Sequence, residues 1–182
     1  DVWETAHSLD PDAAADAAVQ TYHAFAVGLL RDHGLRVGAV PDASLILDGA
    51  RHQLAYRVIV DTDLDLSAVD RRPQDVVSAV LRLDSDLVER CLDIDVVRRA
   101  DEDLLALLPT LKEGARATTR DMLATARERL ALLGLGEQFR AAKQREGVRD
   151  FTDQMRLVTQ VATQRPEVGQ MLREQFAIVM LD

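Results

Sequence analysis

Residues 48–66, DGARHQLAYRVIVDTDLDL, decide how the rest of the chain is read. From Gln53 onward the run has a period of two. Leu54, Tyr56, Val58, Val60, Thr62, Leu64 and Leu66 point one way, and Ala55, Arg57, Ile59, Asp61, Asp63 and Asp65 the other. A strand with one face on helices and the other mostly in water carries this alternation. Asp48-Gly49 is a turn signal between this run and the apolar Leu45 to Leu47 stretch. The pattern predicts an antiparallel hairpin over roughly 44–66, with residues 35–40 available for pairing. A lone hairpin is marginal in water, so this one must lie on helices or meet a second chain.

Helical periodicity accounts for the sequence on both sides. Asp10-Pro11 has the form of an N-cap followed by a first-turn proline, and Val19, His23, Ala26, Val27 and Leu30 then recur at helical spacing. A helix over about 11–33 is predicted, with Gly34 as its left-handed stop. Pro73 opens a second helix whose stripe holds Val76, Val77, Val80 and Leu81, is interrupted by Asp84, and resumes at Leu87, Val88 and Cys91. A further piece runs from about 95 to 108. Thr110 and Glu113 have capping-box spacing and lead a helix ended by Gly134. Shorter helices follow over about 137–146, 149–164 and 166–180. The expected fold is mainly α, about six helices in one core with a β-hairpin inserted after the first helix. It forms a single domain over 1–182, which can be a module of a longer chain.

Hydrophobic residues make up 47% and charged residues 29% of the 182. Those proportions exclude a disordered tail, a collagen-like repeat and a disulfide scaffold. The longest apolar run, Phe176 to Leu181, is far short of the ~20 residues of a membrane span. The single cysteine, Cys91, excludes an internal disulfide or a multi-cysteine zinc site, and its place on an apolar stripe predicts a buried, inert thiol. No signal-peptide pattern is visible, and a cytoplasmic location fits. The net charge is −9, most of it in residues 1–70, with 12 acidic and 4 basic side chains. Phosphate is repelled by such a balance, so free nucleic acid is not expected as a partner. Residues 112–149 are locally basic, nine cations against five acids. Arg116, Arg120 and Arg127 share one flank of the long helix there, as a solvated flank or as a surface for an acidic partner.

Signatures of chemistry are sparse. Glu4-x-x-His7 has metal-ligand spacing on a helix, but a di-metal bundle needs the motif twice. Asp61, Asp63 and Asp65 open like a calcium loop, yet Leu66 stands where a glycine is required and Arg72 where the closing glutamate is required. No nucleophile elbow, Gly-x-x-x-x-Gly-Lys-Ser/Thr loop or Gly-x-Gly-x-x-Gly run occurs. No metal or other cofactor is expected. Residues 48–60, followed by helices and the Asp101-Glu102-Asp103-Leu104-Leu105 stretch, resemble a band-7 (stomatin/prohibitin-like) domain over less than half the chain. The membrane-anchored start and later strand of that family are absent, and the fold reading does not rest on it.

The function expected from these residues is a non-enzymatic interaction or assembly domain, self-associating or bound to a protein partner. Its contacts would come from Arg116, Arg120 and Arg127 on one side and Asp61, Asp63 and Asp65 on the other. The alternative is a helical domain that binds a small molecule in a pocket at Tyr22 and His23. A metal-dependent enzyme built on the three aspartates is a third reading.

Overall fold

The computed structural model describes residues 19–40, 43–110, 117–176 and 178–180. Seven helices run through them: α1 (Tyr22–His33), α2 (Asp48–Val60), α3 (Pro73–Glu89), α4 (Ile94–Leu107), α5 (Ala117–Arg145), α6 (Phe151–Gln164) and α7 (Pro166–Gln175). Two short strands, β1 (Ser44–Leu45) and β2 (Val148–Arg149), pair in parallel, Ser44 opposite Val148 and Leu45 opposite Arg149. The chain is therefore mainly α with a small two-stranded element, as expected; β1 follows the first described helix, and β2 lies between α5 and α6.

The insertion is not the antiparallel hairpin, however. Residues 48–60, its expected turn and second strand, form α2. The run that alternates at period two also carries a helical stripe: Leu54, Ala55 and Ile59 are buried, and Val58 packs partly against the same cluster. Tyr56 and Val60, which a strand would bury beside Leu54, stand at 43% and 58% exposure. Strand preference reflects packing context more than backbone preference, and here the stripe finds two helices to lie on. Helix α2 packs against α3 and α5.

Helix α5 is the axis of this body. Its 29 residues span about 44 Å at 1.5 Å per residue. It passes straight through Gly134, expected as a stop. A helix tolerates an interior glycine at about 1 kcal/mol. A Cβ at Gly134 would stand 3.0 Å from Leu64 Cδ1, so the missing side chain lets the loop after α2 close on α5. Thr62 donates to Gln138 Oε1 at 2.7 Å in the same closure. Leu54, Ile59, Val80, Leu81, Leu135 and Phe139 lie in the largest buried cluster, between α2, α3 and α5. Helix α4 lies along α5, tied by a fork from Arg129 to both oxygens of buried Asp101 at 2.7 and 2.6 Å.

Helices α1, α6 and α7 make a second, smaller cluster of Leu29, Leu30, Val161 and Val168. Residues 19–21 precede α1, and Thr21 is its N-cap, accepting from the Ala24 N–H at 3.2 Å. The expected Asp10-Pro11 start, Glu4, His7 and most of the Thr110–Glu113 capping box lie outside the described residues. Gly34 is right-handed and starts a 3-10 turn, Gly34–Val37, and Gly38 takes the left-handed position at φ 75°. Cys91 does not continue the α3 stripe. The helix stops at Glu89, and Cys91 is exposed in the turn beyond, at φ 52°. No helix among the described residues is long and apolar enough to cross a membrane.

Candidate nucleic-acid interface

The expected acidic and basic residues stand on separate elements. Asp61, Asp63 and Asp65 are exposed on the loop after α2, not on a strand, because α2 ends at Val60. The Ser67 N–H donates to Asp65 at 2.9 Å and holds that carboxyl below its usual range. Among the described residues, no group of three or more His, Cys, Asp or Glu side chains is placed to hold a metal. Arg120 and Arg127 are exposed in the first half of α5, Arg116 lies outside the described residues, and none of the three loop aspartates pairs with Arg120 or Arg127 among the described residues. Neither Tyr22 nor His23 is among the residues that line the groove described below. Tyr22 is 58% exposed, and His23 is on the surface because the buried stripe of α1 runs through Ala26, Leu29 and Leu30.

His23 has a neighbour that the sequence pattern did not mark. Its ring meets the Phe151 ring edge-on, centroids 4.8 Å apart at 78°. Phe151, 40% exposed, is the first residue of α6, and His23 is the second residue of α1. Two helix N-termini thus come side by side with aromatic rings between them in solvent. Helix N-termini carry partial positive charge that favours anions such as phosphate. Exposed aromatic faces are platforms on which bases stack.

Behind this face lies a cluster of buried charges. Asp150 caps α6 in a capping box. Its Oδ1 accepts from the Asp153 N–H at 2.8 Å, and Asp153 accepts from the Asp150 N–H at 3.2 Å. Lys143, from the end of α5, is 2% exposed, and its Nζ lies 2.9 Å from Asp150 Oδ2 and 2.7 Å from Asp153 Oδ2. The same ammonium sits 4.4 Å over the Phe139 ring, a cation–π contact. Asp84, which broke the apolar stripe of α3, is buried and paired with Arg140 at 2.5 Å. Burial pushes the Asp150 carboxyl up, but the charges of Lys143 and Arg51 and the Asp153 N–H outweigh it, and the net effect holds Asp150 below its ordinary value. Period alone marked Asp84 as a stripe residue, and the Asp150-x-x-Asp153 spacing was a capping signal. Nothing in the linear pattern marked Phe151 as a surface aromatic.

An open groove of about 850 Å3 lies between α2, α3 and the end of α5, lined by Leu54, Tyr56, Gln74, Val77, Ser78 and Val148 among others. The Arg57 and Glu146 charges in its lining are spent on each other, at 3.0 and 3.2 Å.

A family model of the UvrD/REP helicase N-terminal domain matches residues 4–182. Among curated proteins, the ATP-dependent DNA helicase PcrA of Leuconostoc citreum is 32% identical over 81 residues, which is 44% of this chain and 10% of that protein. The chain thus spans about a tenth of the length of the curated relative it matches. These matches overturn the expectation of a non-enzymatic, self-associating assembly domain, because the family is one of helicases, which are enzymes acting on nucleic acid. They equally overturn the exclusion of nucleic acid as a partner. The charge argument failed because repulsion is local. The −9 is concentrated in residues 1–70, whereas residues 112–149 carry nine cations against five acids, and Arg120 and Arg127 there are exposed. The band-7 resemblance is not supported by the family match either. With all but its first three residues inside that match, the chain belongs to the UvrD/REP helicase N-terminal domain family.

Proposed function

We propose that this chain is a module of an ATP-dependent DNA helicase and that its α1–α6 face, with Tyr22, His23 and Phe151, takes part in holding single-stranded DNA. The family match supports the reaction class. The observation that carries the site is the His23–Phe151 ring pair, exposed where two helix N-termini converge. Bases would stack on the rings. Arg120 and Arg127, exposed on α5, offer phosphate contacts. The 182 residues hold no Gly-x-x-x-x-Gly-Lys-Ser/Thr stretch. In this reading the nucleotide phosphates are held by another part of the protein. A protein acting on DNA also fits a cytoplasmic location.

The test uses the full-length protein. ATP hydrolysis should rise when oligo-dT is added. Phe151→Ala should raise the oligo-dT concentration needed for half-maximal stimulation by about tenfold, the scale of one lost base-stacking contact, and leave the maximal rate near that of the unaltered protein. Hydrolysis indifferent to DNA would remove the helicase reading. A normal DNA response in Phe151→Ala would remove the proposed face.

A further inference from the structure

The residues on either side of Phe151 are tethered inward, while Phe151 itself is left at the surface. One side chain reaches both of them. Arg51, on α2, donates from Nε to Asp150 Oδ2 at 3.0 Å and from Nη2 to Thr152 Oγ1 at 3.3 Å. The same Nη2 lies 3.3 Å from the Leu81 carbonyl and 3.2 Å from Ser85 Oγ on α3. Ser85 and Thr152 hydroxyls are themselves 3.3 Å apart. The Arg51 side chain is 15% exposed.

Neutralising Asp150 does not require this arginine, because the Lys143 ammonium already lies 2.9 Å from the same oxygen. Beyond its share of the charge on Asp150, what Arg51 adds is geometry. A planar guanidinium offers donors in a fixed fork, so one side chain can hold the residue before Phe151 and the residue after it at a set spacing and anchor both to α3. A lysine is a compact charge on a flexible stem and does not fix the two flanks at a set spacing as a planar fork does. Lys143 also reaches across Phe151, to Asp150 and Asp153, but through one ammonium nitrogen and without an anchor on α3.

Resting on the base-stacking reading above, we infer that Arg51 is a positioning residue for DNA binding: it fixes the first turn of α6 so that the Phe151 ring is presented to a base, and it does not itself touch the DNA. The chemistry on which it acts is an unpaired nucleobase stacked on Phe151. Arg51 also joins α2, α3 and α6, so the larger helical body sets the pitch of the aromatic face.

The experiment is oligo-dT binding to the full-length protein, followed by fluorescence anisotropy over a range of salt concentrations. The variants are Arg51→Lys, Thr152→Val and Phe151→Ala, together with Arg51→Lys in the Phe151→Ala background. Arg51→Lys should weaken binding about tenfold, within the range of coupling between contacting residues. Its dependence of log Kd on log salt should be unchanged, because no phosphate contact is lost. Thr152→Val, which removes one tether and keeps the charges, should weaken binding in the same sense but less, and it covers the case in which Arg51→Lys folds poorly. In the Phe151→Ala background Arg51→Lys should cost nothing more. A general loss of structure would not give this result, since its effects would add. Additive losses, a salt slope reduced by about one, or full binding in both Arg51→Lys and Thr152→Val would each overturn the inference and leave the stacking face standing. Full binding in Phe151→Ala would overturn the stacking reading, and the inference with it.

Discussion

The α2–α3–α5 body and the α1–α6–α7 lobe are built on different scales. Among the described residues, the body buries eleven in one cluster and the lobe four. The body can therefore lose a contact and keep its shape, while the lobe depends on what it leans on. It leans on the body through charges, because Lys143 of α5 and Arg51 of α2 both end on Asp150 at the head of α6. The difference teaches where to look for function. The large body supplies rigidity and turns its surface charges on one another. The thin lobe keeps its aromatic rings in solvent, on helix ends held from behind.

The strongest test of that contrast is charge placed in the body. Ile59→Asp buries a carboxylate in the cluster, and loss of more than about 4 kcal/mol is expected. Val60→Asp on the open side of α2 should stay within about 0.5 kcal/mol. The reverse order in a urea melt would restore the strand register. Next in size is the seam. Lys143→Met leaves Asp150 and Asp153 short of a counter-charge in the interior, at a cost of about 3–5 kcal/mol in the same melt. Acid should act at the same place. Asp150 holds its proton more weakly folded than unfolded, so as pH falls through the ordinary carboxylate value of 3.8 the unfolded chain takes up the proton first. That contribution is intact above 3.8 and is lost as pH falls through the depressed folded value. Asp150→Asn should show a shallower loss of stability below that pH than the unaltered protein. The smallest effect has the opposite sign. A Cβ added to Gly136, inside α5, would meet nothing within 4 Å, so Gly136→Ala should raise stability by up to about 1 kcal/mol. A thermal melt lowered by this change would contradict the packing of α5 against α3.

Much of the helical frame was legible in the sequence. Pro73 with Val76, Val77, Val80 and Leu81 defined α3, and Pro166 placed the start of α7, because proline and apolar period are local signals. What misled was a segment with two periods at once. Residues 54–60 satisfy both a strand and a helix, and only the neighbouring helices decide between them. Gly134 misled for a related reason, since its meaning lies in Leu64, far earlier in the chain, and not in its own helix. The candidate site was half legible. Tyr22 and His23 were marked, as a pocket; their place on the surface depends on the phase of α1 against its neighbours, which is not written in its own sequence. Phe151, Arg51 and Lys143 were invisible as a group. They lie on α6, α2 and α5 and meet only through tertiary packing.

The central claim is that the α1–α6 face, and not the groove beside α2, meets the DNA strand. It is tested most directly by placing a photoreactive benzoylphenylalanine at Phe151 or, separately, at Tyr56 in the groove of the full-length protein. Each variant is then irradiated with labelled oligo-dT. Adducts at Phe151 that are competed away by unlabelled oligo-dT, with little or none at Tyr56, are the predicted result. Adducts at Tyr56 and none at Phe151 would contradict it.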